Sequence, residues 1–187
     1  MRLAVFLALV AFAHAAEHSH YAVIDAGSSG SRIFLYKVVA GAGAGKAPRL
    51  EPVLDGKGEV LQKKQKPGLS SFADRPMEAY HSIRPLLDFV AAVLPAGSPA
   101  VPLSVYGTAG LRMVPAEKRA RIMETIVTGV AEGSTQFTLG KGDIRVISGE
   151  REGMFAWLTI NYAKNLLKGA GGNGRGEEEE RREGGSW

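Results

Sequence analysis

The sequence predicts an α/β protein with functional loops at the carboxyl ends of its strands. Apolar runs of strand length alternate with segments whose apolar residues recur at helical spacing. Three of the predicted strands end in turns rich in glycine or small polar residues. A chain of 187 residues with an apolar fraction of 45% is long enough to form one core. Loops that meet at one edge of such a sheet are the arrangement that a ligand cleft requires.

The first predicted element is a β-hairpin in residues 21–38, Y-A-V-I-D-A-G-S-S-G-S-R-I-F-L-Y-K-V. Its first strand runs into Asp25, which could hold a hydrated divalent cation. The small residues of the turn allow backbone N–H groups and hydroxyls to converge on an anion. The alternative is a plain Ser/Gly hairpin loop with a capping aspartate. The turn consists of Gly27, Ser28, Ser29, Gly30 and Ser31.

The segment after the hairpin carries weaker signals. Residues 41–48 predict a flexible loop, and residues 49–73 have no clean period. A helix is predicted to start near Asp74 and to reach towards Leu94, and Pro85 is predicted to kink or split it. Its apolar residues at helical spacing are Met77, Tyr80, Ile83, Leu87, Val90 and Val93.

Two further strand–helix units follow. A buried strand is predicted at residues 101–106 and a helix at 116–131, then a strand at 143–148 and a helix at 150–167. The face of the helix at 116–131 is formed by Ile122, Ile126, Val127 and Val130. The three predicted strand ends that bear functional residues lie at Asp25, Thr108 and Glu152.

The two ends of the chain differ from its centre in composition. Arg2, an apolar run at residues 3–12 and an A-x-A site at 13–15 predict a signal peptide over residues 1–15. This predicts the secretory pathway or the extracellular space, with no stable membrane span after cleavage; an uncleaved anchor is the alternative. Residues 168–187, rich in Gly, Glu and Arg, predict a disordered tail.

Charge and cysteine content exclude two classes. The formal net charge is +4, but the basic residues are scattered, so we predict no nucleic-acid partner. The densest cluster, Lys63, Lys64 and Lys66, has no interleaved aromatic residues and is interpreted as a solvated loop. The chain contains no cysteine, which excludes disulfides.

Three polar residues near the later strand ends are candidates for chemistry. Glu152, in the first turn of a predicted helix, could accept a proton from water, or could merely complement the helix dipole. Thr108 could place its hydroxyl near a phosphate or a metal-bound water, or simply close a tight turn. Arg112 could steer anions or pair with a helix carboxylate, and the ion pair is the default interpretation.

Four segments together resemble a known family. D-A-G-S-S-G-S-R, K-P-G-L-S-S-F-A, G-T-A-G-L-R-M-V-P and I-S-G-E-R-E-G-M-F-A-W-L-T-I-N-Y are similar in order and spacing to the amino-terminal half of the apyrases, the nucleoside triphosphate diphosphohydrolases. The resemblance covers residues 21–167. It implies a ribonuclease H-like lobe of the actin-like ATPase superfamily, with a β-hairpin phosphate loop. It also implies hydrolysis of nucleoside tri- and diphosphates with Ca²⁺ or Mg²⁺ and without a covalent phosphoenzyme.

The resemblance also implies residue roles. Asp25 matches the aspartate that holds metal through water, Thr108 matches the second conserved region, and Glu152 matches the general base. The residues matched to the first phosphate loop and its flanks are Gly27, Ser28, Ser29, Gly30, Ser31 and Arg32. The form G-S-S-G-S-R is closest in style to soluble secreted members.

One family feature is missing from the sequence. A second phosphate loop of D-L-G-G-A-S-T-Q type does not follow the last predicted helix. We therefore expect an amino-terminal lobe at residues 20–167, truncated before the second lobe, with little or no turnover by this polypeptide alone. The alternatives are an exopolyphosphatase-like phosphatase, a non-catalytic nucleotide-binding fragment, and a fragment that does not fold stably.

Overall fold

A computed structural model describes residues 18–39, 49–133 and 136–163. Within these residues, seven strands form one mixed sheet, packed against helices. The predicted signal peptide at residues 1–15, the loop at 41–48 and the tail at 168–187 lie outside the described residues. No helix in the described part of the chain is long and apolar enough to cross a membrane.

The predicted hairpin is confirmed. β1 (His20–Gly27) and β2 (Gly30–Val39) are antiparallel, with Gly27 opposite Gly30, so the connecting turn is Ser28-Ser29. Gly30 has a φ of 156°, and a Cβ on it would lie 2.6 Å from the Gln65 carbonyl oxygen. Only glycine therefore fits the end of this turn.

The segment without a clean period forms the edge of the sheet beside the hairpin. β3 (Arg49–Pro52) pairs with the end of β2, and β4 (Gln62–Gln65) pairs with its beginning. A short 3₁₀ helix follows at Leu69–Phe72. The solvated loop interpreted for Lys63 and Lys64 is wrong, because both lie in β4. An edge strand faces solvent and tolerates charged side chains, so it lacks the apolar alternation that would reveal it.

The other side of the hairpin is parallel. β5 (Val101–Gly107) runs parallel to β1, and both β6 (Phe137–Thr138) and β7 (Ile144–Val146) run parallel to β5. The carboxyl ends of β1, β5 and β7 consequently lie at one edge of the sheet, as predicted. The strand predicted at 143–148 is shorter than expected because Ser148 Oγ instead accepts a hydrogen bond from the Arg151 N–H at the start of the next helix.

Four α-helices are present in the described residues: α1 (Met77–Ala91), α2 (Ala109–Arg112), α3 (Ala116–Gly133) and α4 (Gly149–Ala163). Of the kink or split predicted at Pro85, the split is wrong, because α1 continues through the proline, and the kink stays a prediction. Buried residues before and after the proline, including Ile83 and Leu86, hold both halves of α1 in the core and offset the lost backbone bond. Met77 and Val93, assigned to the apolar face, are exposed.

The sheet has a core on each face. The larger core packs α1 and α3 against one face, with Ile24, Ile33 and Leu103 fully buried. On this side the Tyr80 ring occupies the space left by two glycines of α3. The smaller core covers the opposite face and consists of Tyr21, Val23, Phe34, Tyr36, Tyr106, Ile147 and Phe155.

Candidate functional site

The Ser28-Ser29 turn is enclosed by glycines from two distant segments. A Cβ on Gly68 would lie 2.5 Å from the carbonyl oxygens of both Gly27 and Ser28, and a Cβ on Gly110 would lie 2.9 Å from Ser28 Cα. Both glycines therefore permit close backbone approach to the turn. Ser28 and Ser29 themselves are exposed. Three of the four motif segments thus form one continuous surface around the serine turn.

Asp25 lies two residues before the end of β1 and is half-buried. Burial raises the pKa of its carboxyl group; Arg32 opposes the shift, the charge of Glu152 adds to it, and Lys64 opposes it more weakly. Among the described residues, no side chain or backbone N–H forms a hydrogen bond or ion pair with this carboxylate. Its oxygens are therefore available to a cation or to water.

Glu152 lies in the first turn of α4 and is held by Arg112. Arg112 Nη1 donates to Glu152 Oε2 at 2.8 Å and to the Ile147 carbonyl oxygen at 2.9 Å. The default interpretation of Arg112 as an ion-pair partner is confirmed, and its partner is the candidate base. The two side chains are 30% and 32% exposed, so the pair is open to solvent on one side.

Thr108 and Ser31 are buried, unlike the two serines of the turn. The Thr108 backbone N–H donates to the Ala26 carbonyl oxygen at 3.1 Å, and its hydroxyl lies 3.5 Å from the same oxygen. Thr108 therefore ties the end of β5 to the end of β1, and its contact with phosphate stays a prediction. Ser31 Oγ has no hydrogen-bond partner within the described residues.

Lys64 lies beside the serine turn, a position that the sequence did not reveal. Its Nζ donates to Ser29 Oγ at 3.2 Å, and its Cα is in register with Arg32 across the β2–β4 pair. No local signal could have found it, because its position depends on the pairing of β4 with β2 some 30 residues away. The structure therefore places two cations, Arg32 and Lys64, beside the serine turn.

The residues at this edge fit a hydrated divalent cation and not an all-protein metal cage. The described residues contain no group of three or more His, Cys, Asp or Glu side chains that could hold a metal. One open carboxylate beside serine hydroxyls suits an ion such as Mg²⁺, which keeps most of its waters and binds phosphate oxygens.

The sheet carries an open carboxylate, a serine turn and an arginine-held glutamate near the ends of its parallel strands, a set of groups that can bind phosphate and activate water. Residues 12–179 match the GDA1/CD39 (nucleoside phosphatase) family, and the chain belongs to it. This membership favours the apyrase resemblance over the exopolyphosphatase-like alternative.

Individual relatives agree with the family. The chain is 34% identical over 148 residues to the nucleoside-diphosphatase mig-23 of Caenorhabditis briggsae, covering 79% of this chain and 26% of that protein. It is 37% identical over 142 residues to the human ectonucleoside triphosphate diphosphohydrolase 7, covering 75% of this chain and 23% of the relative. The chain thus spans about a quarter of the length of these two relatives.

A solved structure supports the fold. A nucleoside triphosphate hydrolase from Neospora caninum aligns with a TM-score of 0.52 at 20% identity, covering 84% of this chain and 34% of that one. This alignment supports the α/β lobe that the sequence predicts.

Proposed function

We propose that this chain binds the phosphates of nucleoside di- and triphosphates and carries the general base for their hydrolysis. One observation carries the proposal: Asp25 lies just before the serine turn, and Glu152, held by Arg112, is close enough to Asp25 for its charge to raise the pKa of that carboxyl group. Two carboxylates beside an anion-binding turn provide the functions that water attack on a phosphate requires.

Each residue has a separate task in the proposed reaction. The backbone N–H groups and hydroxyls of Ser28 and Ser29 bind the outer phosphates, and Arg32 neutralises part of their charge. Glu152 accepts the proton of the attacking water, and Arg112 fixes the orientation of its carboxylate. Thr108 keeps the ends of β1 and β5 together, so that the turn and the base hold their spacing.

A divalent cation, Ca²⁺ or Mg²⁺, fits this scheme. Asp25 would hold it through water, and the bound ion would supply charge neutralisation to the phosphates. A cation would also offset the desolvation that raises the pKa of Asp25. The open carboxylate is the feature that supports this assignment.

The location proposed is the secretory pathway or the cell exterior. The predicted signal peptide at residues 1–15 supports it. So does the similarity to a Golgi apyrase of Saccharomyces cerevisiae, which is 36% identical over 151 residues. We propose nucleoside di- and triphosphates as the partners in that compartment.

The catalytic role is tested by Glu152→Gln, with Glu150→Gln as the matched control. Glu150 lies two residues earlier in α4 and is exposed. Phosphate release from ADP with Mg²⁺ is followed at high protein concentration over long times, so that slow turnover is measured. Glu152→Gln should reduce the rate about 100-fold or more with ADP affinity unchanged, because general-base catalysis contributes about 10²–10⁴-fold. Equal rates in both variants would refute the assignment.

The binding role is tested by calorimetric titration of the chain with ADP, with Mg²⁺ or with EDTA. Binding should need Mg²⁺ and should be lost in Asp25→Asn. Metal-dependent binding with no phosphate release at any time would favour the non-catalytic nucleotide-binding alternative. If the wild type with EDTA, and Asp25→Asn with Mg²⁺, both bind ADP as tightly as the wild type does with Mg²⁺, the metal role of Asp25 is contradicted.

A further inference from the structure

We propose that Lys64, on the edge strand β4, is a phosphate-binding residue that supplies a mobile positive charge to the outermost phosphate of the bound nucleotide. The inference rests on the proposed function of the serine turn and adds a ligand contributed by a segment outside the four motifs. Its basis is the contact of Lys64 Nζ with Ser29 Oγ at 3.2 Å.

The pairing of three strands puts Lys64 on the same face as the site. Asp25 is directly opposite Arg32 across the β1–β2 pair, and Arg32 is directly opposite Lys64 across the β2–β4 pair. Side chains of directly opposed residues in antiparallel strands point to the same face. A carboxylate, a guanidinium and an ammonium therefore form a row across the sheet, just below the serine turn.

The electrostatics agree with this placement. Lys64 is exposed and lies on the same face of the sheet as Asp25 and Arg32. The ammonium has no carboxylate partner among the described residues and instead donates to a neutral hydroxyl of the turn. A lysine on such a contact can transfer its hydrogen bond to a phosphate oxygen at little cost, because its charge is compact and its stem flexible.

Lys63 supplies the matched control. It is the preceding residue of the same strand, opposite Ile33 of the larger core, so its side chain points to the other face of the sheet. Its Nζ lies 5.6 Å from the centroid of the Phe89 ring. Replacing Lys63 removes the same charge from the same strand but not from the site.

The test is calorimetric binding of two probes, ADP and inorganic tripolyphosphate, each with Mg²⁺, to the full 187-residue chain. The proteins are the wild type, Lys64→Met, Lys64→Arg, Lys63→Met and Asp25→Asn. Lys64→Met should lower the affinity for both probes about fivefold at low salt, and Lys64→Arg should retain most of that affinity. Lys63→Met should bind as the wild type does. The loss in Lys64→Met should shrink as salt is raised, because screening weakens exposed charges.

Each other outcome overturns the proposal in a distinct way. Equal affinity in Lys64→Met and wild type, with binding lost in Asp25→Asn, would remove Lys64 from the site and leave the proposed function intact. If Lys63→Met loses as much affinity as Lys64→Met does, the effect comes from the net charge of the surface and not from a contact of Lys64 with phosphate. A wild-type chain that binds neither probe would overturn the proposed function, and the role of Lys64 with it. Circular dichroism of each variant verifies that the fold is retained.

Discussion

The pairing of Arg112 with Glu152 orients a carboxylate more than it stabilises the protein. Both side chains are about one-third exposed, and an exposed ion pair contributes about 0–1 kcal/mol to the free energy of unfolding. Arg112 also donates to the Ile147 carbonyl oxygen, which anchors the guanidinium to the end of β7. The carboxylate is consequently tied to the sheet rather than left to rotate on the helix.

We expect Arg112→Met to separate these two contributions. The free energy of unfolding should fall by no more than about 1 kcal/mol, since the pair is partly solvated. Phosphate release from ADP should fall about 10- to 100-fold with ADP affinity nearly unchanged, because a misplaced catalytic group costs rate rather than binding. Chemical denaturation and steady-state kinetics measure the two quantities.

Arg121→Met is the control for this change. Arg121 pairs with Glu117 at 2.6 Å on α3, away from the candidate site, and both side chains are exposed. Breaking this pair should leave phosphate release unaltered. A rate loss as large in Arg121→Met as in Arg112→Met, or a large loss of ADP affinity in Arg112→Met, would contradict the positioning role.

At the scale of elements, the approach of the 3₁₀ segment to the hairpin turn shapes the candidate site. Gly68 immediately precedes the 3₁₀ helix at Leu69–Phe72, whose Leu69 and Phe72 are buried in the larger core. The buried side chains hold the segment in place, and the absent Cβ of Gly68 allows its backbone to reach the turn. Packing and backbone approach are thus coupled in one short segment.

We expect Gly68→Ala to damage both stability and anion binding. Its Cβ would meet backbone oxygens of Gly27 and Ser28 at 2.5 Å, so the segment or the turn has to move. Overpacking of this kind costs about 1–3 kcal/mol of unfolding free energy. Gly56→Ala is the control, because nothing lies within 4 Å of a Cβ there. Denaturation and ADP titration of both variants measure the effect, and a Gly68→Ala protein that matches Gly56→Ala in both would refute the argument.

The elements differ in how well the sequence predicts them, for a physical reason. The hairpin, β5 and α3 carry their own apolar period and were predicted with nearly correct bounds. β3 and β4 were missed because edge strands are stabilised by pairing with β2, and not by an apolar pattern of their own. The continuity of α1 through Pro85 likewise depends on tertiary burial, which a local rule for proline does not include.

At the scale of the whole molecule, the parallel arrangement of β1, β5 and β7 makes the site predictable in part. Sequence reasoning placed Asp25, Thr108 and Glu152 at strand ends, and the sheet brings these ends to one edge. It left open whether Arg112 pairs with a carboxylate and did not find Lys64, because both contacts join segments at least 35 residues apart. Such contacts follow from topology rather than from local pattern.

The charged form of Asp25 lowers the free energy of unfolding of the whole protein, because the carboxylate is partly buried. Burial raises the pKa of Asp25 above its value of 3.8 in the unfolded chain, so the folded state binds the proton more tightly. The contribution of Asp25 to the free energy of unfolding is therefore most favourable when its carboxyl group is protonated. This contribution is lost as the pH rises from 3.8 through the raised folded-state pKa, and at neutral pH the charged carboxylate opposes folding.

We expect Asp25→Asn to make the protein more stable at pH 7, by about 0.5–1 kcal/mol, because a partly buried charge is replaced by a neutral isostere. The difference should narrow as the pH is lowered from 7 towards 4, as the wild-type carboxyl takes up its proton. Asp88→Asn, which replaces an exposed carboxylate of α1, should stay within about 0.5 kcal/mol of the wild type throughout. Urea denaturation across this pH range measures all three proteins. An Asp25→Asn protein less stable than the wild type at pH 7 would show that the carboxylate stabilises the fold and is not held at a cost for binding.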